Sequence, residues 1–168
     1  MADVNRPIVT EAIQAALDEL RAAFPPRPLD VQSAFAEWGV SYTDGSSFKA
    51  GAQGKRWDEL APQFLEFHHD APLFLGWPAI GDVLPAYLAA ALRRERETGM
   101  LPDFLLSALT RGIDSNTARF DAQFGPLAPA QRQAIAHALE AWSASLERSD
   151  LRRPIIEALE SYWAKQEW

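Results

Sequence analysis

The chain has 168 residues, a net charge of −7 and no cysteine, and 48% of its residues are apolar. That length fits one domain with a core of its own, and the missing thiols exclude disulfides, thiolate metal sites and sulfur nucleophiles. The acidic balance argues against nucleic acid, whose phosphates need clustered Lys and Arg, and no run of about eighteen apolar residues offers a membrane span. With no apolar segment after Met1-Ala2-Asp3-Val4-Asn5-Arg6, the expected location is the cytoplasm.

The first helix is signalled by Thr10 as N-cap and by Ile13, Ala16, Leu17, Leu20 and Phe24 at helical spacing, and Pro25-Pro26 stops it. A short helix over 30–38 is expected next, with Val31, Ala34, Phe35 and Trp38 on one face and Gly39 ending it. Over 39–54 four glycines and several serines interrupt any period. This is read as a loop, with at most one small β-hairpin near 40–49 in which Val40 and Tyr42 face Phe48.

Trp57, Leu60, Ala61, Phe64, Leu65 and Phe67 then give an amphipathic helix that fades at His68-His69-Asp70. Pro62 moves its start toward Asp58 or Leu60. After the turn at Gly76-Trp77-Pro78, Asp82 is expected to cap an alanine-rich helix over 84–94 with Pro85 near its first position. Leu101-Pro102 opens another helix, and a shorter one spans 117–124 and ends at Gly125-Pro126. Pro129 and Asp150 introduce two long helices with apolar stripes, Ile135, Leu139, Trp142 and Leu146 on one and Ile155, Ile156, Leu159, Tyr162 and Trp163 on the other. The fold class is therefore all-α, a single compact, bundle-like domain over 1–168.

Catalytic signatures fail one by one. Glu66 and His69 stand at the i, i+3 spacing of a metal-binding helix, but a di-iron site needs that motif twice, and outside the 68–69 pair the only histidine is His137, with Ala134 three residues before it. Gly51-Ala52-Gln53-Gly54-Lys55-Arg56 offers a basic glycine loop, yet a P-loop needs glycine where Lys49 stands. No Gly-x-Ser-x-Gly elbow occurs, and Ser46-Ser47 has no histidine near it in sequence. No catalytic, metal or cofactor residue is assigned.

The stretch Arg56-Trp57-Asp58-Glu59-Leu60 through Phe64-Leu65, followed by Leu84-Pro85-Ala86-Tyr87-Leu88, resembles a family of uncharacterised bacterial helical proteins. Their pattern runs tryptophan, leucine, an apolar patch, then Leu-Pro-x-Tyr-Leu. The resemblance implies a helical fold and carries no activity.

Small size, acidity and the missing catalytic groups point to a non-catalytic protein-binding domain, in the manner of a bacterial immunity or antitoxin protein neutralising a basic partner. Candidate contacts are Trp77 in its turn, Asp82, and the basic loop residues Lys49, Lys55 and Arg56. The rival class is a small-molecule binder or enzyme whose 39–54 loop covers a pocket near His68, His69 and Asp70. A homodimer built on the aromatic turn is a third reading.

Overall fold

A computed structural model describes residues 6–35, 44–94, 99–112, 117–146 and 150–164. Among these residues there is no strand, and no helix is long and apolar enough to cross a membrane. The chain is an all-α assembly around one continuous core.

Helix α1 (Arg6–Ala23) begins before Thr10, so that residue lies inside the helix and not at its cap. The cause is Pro7 in the opening turn, where a missing N–H costs nothing and the ring presets φ. Ala16, Leu20 and Phe24 are buried as their spacing requires.

The helix expected over 30–38 is not formed by its described part. Residues 32–35 make a turn, while residues 36–38 lie outside the described residues. Instead the segment is strapped to the loop after α2 (Gly45–Ala52). Leu29 N–H donates to Lys55 O at 2.8 Å, Gly54 N–H to Leu29 O at 2.8 Å, and Val31 N–H to the Gln53 side chain at 2.8 Å. Helix α2 occupies the place suggested for the loop and the far half of a hairpin; residues 40–43 lie outside the described residues. Phe48 is buried from α2 among Phe35, Phe64 and His68, with ring centroids 5.4–5.6 Å away. A side chain at Gly51 would collide with the Phe64 ring, so α2 approaches α3 (Pro62–Phe67) through glycine.

The amphipathic helix expected from Arg56 is divided into a 3₁₀ turn (Trp57–Glu59) and α3. Pro62 forces the division. The residue before a proline is pushed to extended backbone, and Ala61 has ψ 144°. After α4 (Ala71–Phe74) and a cis Trp77-Pro78 bond, α5 (Ala79–Leu92) starts earlier than expected. Pro78 takes the N-cap, Asp82 falls in the first turn and Pro85 lies inside the helix. A helix apolar on every side belongs at the centre, and α5 packs against α1, α3, α6, α7 and α8.

Helices α6 (Leu101–Leu109), α7 (Thr117–Phe124) and α8 (Pro129–Ser145) begin where the sequence signals placed them. The last expected helix is α9 (Arg152–Ala158), which widens into a π turn over Leu159–Trp163. Its Trp163 indole donates to Leu109 O at 2.8 Å. The most extensive interface joins α1 to α8.

A methyl group on Gly81 would stand 2.7 Å from the Trp77 ring, which packs on the core there. Gly81→Ala is expected to cost about 1–3 kcal/mol by overpacking, read as a lower urea midpoint with unchanged slope. An unchanged midpoint would show that Trp77 yields freely.

Candidate functional site

Of the five candidate contact residues, Asp82 lines a cleft. It is the one residue of α5 that is not buried. The cleft, about 200 Å³, is walled by Phe24, Pro25, Pro26 and Trp57 and edged by Arg27 and Asp82. Arg27 Nη2 and Nε both donate to Asp82 Oδ1, at 2.6 and 3.2 Å. Trp57 donates its indole N–H to Phe24 O at 2.8 Å, which fixes the wall.

Trp77 is half-buried and packs over Gly81 beside the cleft. Arg56 is drawn to Asp58 and Glu59 next to Trp57, with Nε 3.1 Å from Asp58 Oδ1, and Arg21 reaches Asp58 Oδ2 at 2.9 Å. Lys55 is exposed in the strapped loop, and Lys49 sits half-buried in the last turn of α2. The structure thus groups Asp82 and Trp77, holds Arg56 in a separate carboxylate cluster, and gives Lys49 and Lys55 no shared site with them.

The two adjacent histidines diverge. His68 is only 2% exposed, its ring in contact with Phe48, Phe64 and Phe67. Burial lowers its pKa, with Asp44 and Asp70 pulling the other way and His69 adding to the depression. His69 instead meets the Phe104 ring edge to face and places Nδ1 2.9 Å from Glu66 O. The Glu66 carboxylate is committed to capping α6, accepting from Met100 N–H at 2.7 Å and Leu101 N–H at 3.2 Å. The Glu-x-x-His spacing is therefore a packing arrangement.

Ser47 has a histidine beside it after all, from 21 residues away: its Oγ lies 3.4 Å from His68 Nε2. The hydroxyl proton, however, goes to Asp44 O at 3.1 Å, so the imidazole is not placed to accept it. No local sequence signal links the two residues.

A third feature escaped the sequence reading altogether. Between α1 and α8 runs an open groove of about 390 Å³ floored by alanines, among them Ala12, Ala15, Ala141 and Ala144. Glu19 and Glu140 stand along it, with His137 Nδ1 2.8 Å from Glu19 Oε2. Helical periodicity places Glu11 and Asp18 one step further round α1. The available signal was the recurrence of alanine at i, i+3 and i+4 in both helices.

Arg27 is 68% exposed in its pair with Asp82. Ion pairs so wet are worth about 0–1 kcal/mol. Arg27→Ala and Asp82→Asn are each expected to move unfolding stability by less than about 1 kcal/mol in chemical denaturation. A larger loss would make the pair a structural clasp of the cleft.

No curated protein and no solved structure matches the chain. The family model does: the chain belongs to the family of unknown function DUF6714, whose model matches residues 9–167.

Proposed function

We propose that this is a cytoplasmic, non-catalytic protein-binding domain that takes a basic protein partner, as a bacterial immunity or antitoxin protein does. The observation that supports this reading is the α1/α8 groove. Its alanine floor lets a partner backbone come close, while Glu19 and Glu140 line it and His137 is the only basic residue among its described lining residues. Elsewhere the arginines Arg21, Arg27, Arg56, Arg111 and Arg153 are engaged by the protein's own carboxylates. On α1 and α8 the carboxylates Glu19 and Glu140 along the groove, with Glu11 and Asp18 further round α1, are the groups that would steer and hold cations.

The test is capture of a basic protein from the native host at low salt, followed by titration of the recovered partner. Binding should weaken as salt rises. The double variant Glu19→Gln/Glu140→Gln should weaken it about fivefold to thirtyfold, equivalent to about 1–2 kcal/mol. Failure to recover any basic partner, or affinity indifferent to both salt and the double variant, would sink the reading.

A further inference from the structure

Helix α9 turns Ile155 and Ala158 into the core, packed on α6 and α8, and leaves another face in water. Arg152, Arg153, Ile156, Glu157 and Glu160 are all exposed there and line an open hollow of about 490 Å³. The apolar stripe expected of this helix held both isoleucines, but the structure buries Ile155 and leaves Ile156 39% exposed, one of three large apolar side chains so placed among the described residues.

A single isoleucine in water is ordinary. What marks this one is the order of charges around it, with two arginines one turn before it and two glutamates after it. Arg153 is met by Glu157 of its own helix at 2.9 Å, in an exposed i, i+4 pair. Arg152 and Glu160 are engaged by no ion pair among the described residues. Eight residues apart, about 12 Å along the axis, they lie beyond the i, i+4 neighbours that a helix brings together.

We propose that this face is a self-association surface, on which a second copy of the chain packs antiparallel about a two-fold axis at Ile156. Such an axis brings the two isoleucines together. It also sets Arg152 of each copy against Glu160 of the partner subunit, because the two residues lie four positions from the axis on opposite sides. A parallel pairing would oppose like charges instead.

The charge order is what selects a second copy as the occupant. At a net charge of −7 two copies repel in general, whereas on this face two arginines and two glutamates cancel. A surface whose charges change sign about its own centre is complementary to itself, which is the condition an isologous interface imposes. A basic partner would meet the arginines and an acidic one the glutamates. None of the five residues lines the α1/α8 groove, so the inference stands apart from the partner-binding reading. One helix face per copy falls at the small end of specific interfaces, below about 1,200 Å², so the dimer is expected to be weak, with a dissociation constant of about 10 μM or above.

Sedimentation equilibrium of the full chain, from about 10 μM to about 1 mM, tests this and should show monomer and dimer in exchange. Arg152→Glu and Glu160→Arg, both at exposed positions, should each weaken the dimer about tenfold or more, since each turns two attractions into two repulsions. Combined in one chain they should restore it, and the two single variants mixed should pair with each other although neither pairs with itself. Ile156→Ser should weaken the dimer by removing its apolar centre. A chain that stays monomeric throughout overturns the proposal. So does a dimer that the single charge reversals leave intact, which places the contact elsewhere, or one that the combined variant fails to restore, which rules out the antiparallel order.

Discussion

Thirteen of the fourteen residues of α5 are withdrawn from water, and covering that helix on all sides is the requirement the other elements meet. An amphipathic helix asks for one neighbour; one that is apolar all round asks for a shell. Helices α1 and α8 supply one side of it, α6 and α7 others, and the 3₁₀ turn at Trp57 closes the N-terminal end. Asp82 is the single point at which α5 reaches the surface, and a cleft opens there. Phe24, Pro25 and Trp57 line this cleft together with Gly81.

A shell made of short helices creates many helix ends, and each end leaves carbonyls without partners. The molecule answers with buried side chains reaching across from other elements. Trp57 donates to Phe24 O just beyond α1, Tyr87 to His68 O at the C-cap of α3, Gln123 to Pro72 O and Leu75 O at the close of α4, and Trp163 to Leu109 O at the end of α6. Each bond satisfies a buried donor and an orphan acceptor together. Losing one donor would strand its carbonyl at a cost of about 1–3 kcal/mol. At Trp57 and Trp163 the indole thus does more than fill volume, because it joins a large apolar face to one donor at its rim. Glu66 performs the complementary task, capping the amides that open α6.

Much of the fold was legible in the sequence, and the pattern of what was not has a physical cause. Helices α6 and α8 were readable because a proline stands in the first turn of each, and α7 because Gly125-Pro126 follows it. These are local signals. The expected helix over 30–38 failed because Val31 N–H and Leu29 are captured by Gln53, Gly54 and Lys55, more than twenty residues away. The loop over 39–54 held a helix because Phe48 finds a socket of rings whose members lie far apart in the chain. The candidate sites were less legible for the same reason. Asp82 could be picked out as a helix-start acid, but its neutralisation by Arg27, 55 residues earlier, could not. Ser47 and His68 likewise meet only after folding.

The groove draws on the best-connected part of this architecture. Glu19 and Glu140 project from α1 and α8, the two longest described helices, which share the broadest interface of the molecule. A binding surface gains from such rigidity because little conformational freedom is lost when a partner docks. Helix α2 is the contrasting case, with eight residues and Phe48 as its fully buried aromatic anchor.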